Sequence, residues 1–183
     1  MEKESLLKLI EEQSLISFTG KINVLKTENN QHLGAVYFKE GDIVDTQYLG
    51  RTGKKGLYSL AFDEVEAKEF HKFIVEPEII KDSQIKFTYQ FEEFYEKMKE
   101  RYEAYQKIKK LRPPNYLRLS IDQNFIQPEC QSKVSGFEFD VLNAMVDSKK
   151  VSDIYLNCPL YDYEITDALI SLRKKKAIRV LGP

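Results

Sequence analysis

Residues 33–62, LGAVYFKEGDIVDTQYLGRTGKKGLYSLAF, decide how the first half of the chain folds. Period-two alternation puts Val36 and Phe38 on one face of a strand and Ala35 and Tyr37 on the other. Lys39, Glu40, Gly41 and Asp42 interrupt the apolar run, and Gly41 suits the positive φ of a short hairpin loop. Ile43, Val44 and Tyr48 resume the pattern in a return strand. Gly50, Gly53 and Gly56 punctuate the exit, and Leu57, Leu60 and Ala61 then recur at helical spacing, with Phe62 beside them. The reading is strand, tight turn, strand, glycine loop, helix, with no chemistry of its own.

The flanks extend this unit to residues 1–80. Leu6, Leu7, Leu9 and Ile10 against Glu4, Lys8, Glu11 and Glu12 predict an amphipathic helix over 2–13. A connector follows, with Leu15 and Ile16 expected inside. Gly20–Lys26 reads as a strand with Ile22 and Val24 on one face. Residues 28–31 are polar turn material. Residues 69–75 form a closing strand with Phe70, Phe73 and Val75 as core candidates, ended by Pro77.

This order is specific enough to suggest a family. A short leading helix precedes a strand opening at Gly20, then a strand carrying Tyr37 and Phe38, then Gly41, Ile43 and Val44. Gly53, Gly56, Leu57 and Leu60 open the following helix, and Phe70 and Phe73 mark the closing strand. The set resembles the PATAN (PatA N-terminal) domain of bacterial signalling proteins over about the first 80 residues. Asp45 and Thr46 stand where that family often has a small apolar residue. The resemblance implies a non-enzymatic adaptor that works beside other signalling or motility proteins.

Residues 83–110 carry the longest helical pattern and are expected to connect two domains over 81–112. Phe91, Tyr95, Met98, Tyr102 and Tyr105 recur at alternating spacings of four and three. Such a seam packs on the flanking parts of the same chain or on a second copy; aromatic side chains are poor coiled-coil core formers, which favours the first. A homodimer is the alternative. Lys107, Lys109 and Lys110 complement the helix C-terminus, and Pro113 and Pro114 end it.

Residues 113–183 read as a second domain. Leu117, Leu119 and Ile121 alternate in an opening strand. Ser135 caps a helix over 136–146, with Glu138 completing a capping box and Phe137, Val141, Leu142 and Met145 inward. Val151–Asn157 is a second helix, with Val151, Ile154 and Tyr155 inward, and residues 161–175 a third, bearing Ile165, Leu169 and Leu172. Residues 177–181 close as a strand. This order resembles a small winged-helix domain, in which the third helix is the one that DNA readers place in the major groove. Here that helix opens with Tyr161, Asp162, Tyr163 and Glu164, followed by Asp167. Three carboxylates would face a polyanion, which opposes the term that dominates DNA affinity. The acids and tyrosines suit a protein partner better, and nucleic acid is argued against. The basic run from Arg173 to Lys176 complements the helix C-terminus and reads as a solvated face.

Bulk properties agree with this picture. The net charge is -1, so no global field draws the chain to nucleic acid or anionic lipid. The first 80 residues are acidic on balance, 81–112 basic and 113–183 neutral. Cys130 and Cys158 make no disulfide framework and no metal-ligand spacing, and both are expected reduced and at least partly buried. No signal peptide, lipidation motif or membrane span is expected, so the expected compartment is the cytoplasm. His32 and His71 lie in a turn and a strand, away from any cysteine, and are read as fillers. Arg51, Lys54 and Lys55 among the glycines could hold an anion such as a cyclic dinucleotide, although the spacing is not that of a P-loop. No constellation argues for an enzyme, a metal or a cofactor. The expectation is an α+β chain with a small antiparallel sheet, a long connecting helix and a winged-helix-like C-terminal domain. Its expected role is a protein-binding signalling adaptor, with a DNA-binding regulator and an anion-sensing module as alternatives.

Overall fold

The computed structural model describes residues 5–66, 70–126 and 134–182. The chain is α+β, with six helices, a five-stranded antiparallel sheet and a small two-stranded sheet. It divides into two compact units, residues 1–102 and 103–183. Among the described residues no helix is long and apolar enough to cross a membrane.

In the first unit, α1 (Leu6–Leu15) leads into β1 (Gly20–Lys26), β2 (His32–Lys39), β3 (Asp42–Tyr48) and the short β4 (Arg51–Thr52). Helix α2 (Gly53–Glu66) then carries the chain to β5 (His71–Pro77). The strand order is β4-β3-β2-β1-β5, so α2 links one edge of the sheet to the other. Leu6, Ile10, Ile22, Val36, Phe38, Ile43, Leu57 and Leu60 are fully buried and form the apolar centre of this unit. The β2–β3 turn has two residues, because Lys39 pairs with Asp42. Glu40 (φ 53) and Gly41 (φ 89) both take positive φ, the conformation that matches the twist of a two-residue hairpin. A Cβ at Gly41 would also lie 2.7 Å from the Ser14 carbonyl oxygen. Sterics and backbone conformation thus both require glycine there.

Several expectations for this unit need correction. Leu15 and Ile16 are 78% and 69% exposed. The buried stripe of α1 is Leu6, Leu9, Ile10 and Gln13; at 100° per residue Leu15 falls opposite Leu6, and Ile16 already caps the helix. In β5 the inward phase is His71, Phe73 and Val75, with His71 completely buried. Phe70 precedes the strand on the other phase and is exposed, because residues 70 and 73 cannot share a face under strict alternation. The glycine loop contains β4, and the long helix starts later than its charge pattern predicts. Residues 82–84 form a 3-10 turn, and extended residues 86–89 hydrogen-bond to Ile43 and Val44 before α3 (Phe91–Ile108) begins. Asp45 is buried and forms an ion pair with Lys86 at 2.9 Å, which accounts for a carboxylate under the hairpin.

The second unit contains the end of α3, β6 (Arg118–Ile121), α4 (Gly136–Asp147), α5 (Val151–Asn157), α6 (Asp162–Lys174) and β7 (Ile178–Gly182). Strands β6 and β7 pair antiparallel, with Leu119 opposite Val180 and Ile121 opposite Ile178. On the other side of β6 a bridge joins Arg118 to Lys150, between α4 and α5. Leu119, Val141, Met145, Ile154, Tyr155, Ile165, Leu169 and Leu172 form one core, with buried Cys158 among them. Cys130 lies outside the described residues. Ser135 and Glu138 form the expected capping box. Phe137, expected inside, is 53% exposed, because the buried stripe of α4 is centred on Val141 and Met145 and includes Glu138.

Candidate functional site

Helix α6 begins at a capping box in which the Tyr161 N–H donates to Glu164 Oε2 at 2.9 Å. Its first turn is acidic, as a helix N-terminus favours. The rings of Tyr161 and Tyr163 stack in parallel with centroids 6.0 Å apart. Asp162 turns into the fold and accepts a hydrogen bond from Arg112 Nη1 at 2.7 Å. The same guanidinium lies 4.0 Å from the ring centre of Tyr155, a fully buried side chain. The Thr166 hydroxyl donates to the Asp162 carbonyl at 2.8 Å, so the Tyr155 hydroxyl, 2.7 Å away, donates to Thr166. Burial pushes the Tyr155 phenol up to about 12 and keeps it a donor. Arg112, just before the two prolines that end the connecting helix, is therefore the residue that seats α6.

The remaining members of the predicted face face outward in part. Tyr163, Glu164 and Asp167 line a shallow cleft of about 340 Å³ together with Phe137, Ala104 and Ile108. On the other side of α4, Phe139 and Val146 are 64% and 68% exposed. Exposed aromatic rings next to carboxylates make a surface that is apolar enough to bury and charged enough to select a partner. Among the described residues, no group of three or more His, Cys, Asp or Glu side chains is arranged to hold a metal ion.

In the first unit the predicted anion-binding residues are used separately. The Lys54 ammonium lies 4.2 Å from the ring centre of Tyr89 and 5.8 Å from that of Phe87. Burial opposes ionisation of Tyr89, but the hydrogen bond from Tyr58 and the charges of Lys54 and Lys97 outweigh it, holding the phenol below its ordinary range. Arg51 lies in β4, where its charge is felt at the Tyr48 hydroxyl, and Lys55 is half-buried in the first turn of α2.

The predicted seam on α3 is divided in a similar way. Phe91 and Tyr95 stack on each other at 5.6 Å, Met98 is buried, Tyr102 packs 5.4 Å from Phe62, and Tyr105 lies under Lys109. The fully buried anchor is Phe94, which the four-three spacing passes over. It packs 5.8 Å from Tyr58, whose ring also carries the Arg101 guanidinium at 4.9 Å.

One polar cluster was not anticipated. The Tyr48 hydroxyl donates to Asp63 Oδ2 at 2.9 Å and lies 2.9 Å from His71 Nε2. His71 Nδ1 is 2.8 Å from Glu64 Oε2. Strands β3 and β5 and helix α2 contribute to this network, and Tyr48, His71 and Glu64 are all buried. Burial, reinforced by the Asp63 charge, pushes the Tyr48 phenol far above its usual range, so it stays a donor. The sequence signal was Glu64 itself. It lies four and seven residues after Leu60 and Leu57, on the apolar stripe of α2, where a carboxylate needs a partner.

Comparison with protein-family models, curated proteins and solved structures finds no match for this chain.

Proposed function

We propose that the protein is a non-enzymatic signalling adaptor that acts by binding other proteins. On this reading a PATAN-like domain over residues 1–80 is joined by a connecting helix over 81–112 to a winged-helix-like domain over 113–183. The order of helix, hairpin, glycine-led helix and closing strand supports the first assignment. Three short helices, the β6–β7 pair and the bridge between α4 and α5 support the second.

The observation that carries the reading is the cleft of Phe137, Tyr163, Glu164 and Asp167, in which Phe137 is 53% exposed. A DNA reader would present donors at the start of α6, whereas Glu164 and Asp167 present carboxylates there and Asp162 is turned inward onto Arg112. The test is crosslinking capture from the source cells with the full chain and with a Phe137→Asp/Asp167→Lys double variant. The wild type should retain a discrete set of proteins that the variant loses. The same set on both, or nothing on the wild type, rejects the reading. A sequence-specific gel shift that Arg173→Ala weakens would favour the regulator instead.

A further inference from the structure

A second surface of the same unit has different chemistry. Between α6 and the face of the β6–β7 pair lies a pocket of about 320 Å³ whose apolar walls include Leu111, Leu119, Leu169, Ile170, Ile178 and Val180. Arg173 and Arg179 also line it, and no carboxylate does. Arg173 makes no ion pair among the described residues, and Arg179 donates only to the neutral Ser120 hydroxyl, at 3.2 Å. Lys174 and Lys176 nearby in the sequence are both exposed. Leu111 is 60% exposed and Val180 47% exposed, so the apolar mouth is uncovered.

The strand beside the pocket is also incomplete. Strand β6 is occupied on both sides, by β7 and by the bridge to Lys150. Strand β7 pairs with β6 alone, so its outer N–H and C=O groups form an open edge among the described residues. An open edge whose strand also forms the wall of an apolar pocket is the geometry that accepts an extended peptide as an added strand.

We propose that β7 receives an extended acidic segment of a partner protein, which pairs along the open edge and sets an aliphatic side chain against Leu169, Ile178 and Val180. This rests on the protein-binding reading above and names the partner's chemistry. Carboxylates flanking the aliphatic residue point to the opposite face of the added strand, where Arg179 stands beside Ser120, and Arg173 on α6 adds positive charge at the pocket mouth. Charge selects this occupant over the alternatives. A second copy pairing through β7 would bring two basic rims together. A nucleic acid would satisfy the cations but leave the apolar pocket and the strand edge uncovered.

The probe is a labelled, acetylated and amidated heptapeptide alternating aspartate with leucine and valine, titrated against the full chain at low salt and read by anisotropy. A lysine-for-aspartate counterpart and an N-methylated form are the comparisons. The acidic peptide should bind saturably and the basic one should not. Loss of desolvated charge pairs weakens binding by one to two orders of magnitude, so the Arg173→Glu/Arg179→Glu variant should bind ~10- to 100-fold more weakly. Val180→Asp and N-methylation of the peptide should each weaken binding as well, with the circular dichroism of the variants unchanged. Absence of saturable binding overturns the proposal, as does equal binding of both peptides or indifference to both variants. Binding of duplex DNA in place of the peptide, or self-association abolished by Val180→Asp, overturns it in favour of a nucleic acid or a second copy. If the peptide fails while capture still depends on Phe137 and Asp167, only the β7 site falls and the adaptor reading stands.

Discussion

At the scale of residues, the most consequential side chain is His71. It lies without solvent contact between the Tyr48 hydroxyl and the Glu64 carboxylate. Without His71 the Tyr48 hydroxyl still donates to Asp63, but the buried Glu64 carboxylate loses the partner that Nδ1 provides. A buried carboxylate left without its hydrogen-bond partner is expensive, so His71→Asn should destabilise the chain by roughly 2–4 kcal/mol. Glu64→Gln keeps a hydrogen-bonding group opposite Nδ1 and should destabilise it less. Urea unfolding followed by tyrosine fluorescence reads both, since the chain has no tryptophan. Equal stability of His71→Asn and wild type would show that the network contributes nothing. The residue types of this cluster were legible, but their meeting was not. Glu64 on an apolar stripe signals an unmet need, and only the fold shows that His71, on the strand after the helix, meets it.

At the scale of elements, the tie between α4 and α6 depends on Glu138. Its carboxylate accepts from the Ser135 N–H at 2.7 Å and from Lys175 Nζ at 2.7 Å, so it closes one helix cap and pins the end of another helix. Burial opposes its ionisation, but the Lys175, Ser135 and Ser171 hydrogen bonds outweigh burial and hold the pKa at about 2, below the ordinary 4.5. A folded-state pKa depressed below the unfolded value stabilises the fold above the unfolded value. That contribution is lost as pH falls from about 4.5 to about 2. Linkage puts its size at no more than about 3 kcal/mol. Glu138→Gln should keep the cap, lower the melting temperature at neutral pH and flatten its fall with acid in this window. A parallel fall in variant and wild type would assign the acid sensitivity to other carboxylates. The cap was legible from the spacing of Ser135 and Glu138. The Lys175 contact was not, because it joins residues far apart in the chain, and the basic run reads locally as a solvated face.

At the scale of the whole molecule, the chain has two cores. The second consists of residues from β6 through β7, and the first has its own sheet with α1, α2 and most of α3. Units with separate cores unfold in separate transitions when each is stable alone. Scanning calorimetry should therefore resolve two transitions, with His71→Asn lowering one and Glu138→Gln the other. A single transition shifted by both variants would show one cooperative unit. By itself the sequence determined the element types, the hairpin at Gly41, the caps and most of the apolar stripes, because each is a local matter of period, turn chemistry or backbone freedom. Only the tertiary structure decided that Lys54 is engaged by aromatic rings, that Arg112 seats α6 through Asp162 and Tyr155, and that β7 is left with an open edge beside Arg173. Those outcomes depend on which distant side chains meet and which strand finds no neighbour. The residues 33–62 decide the shape of the first sheet, but the surfaces available to partners in the second unit are set by packing that no local pattern records.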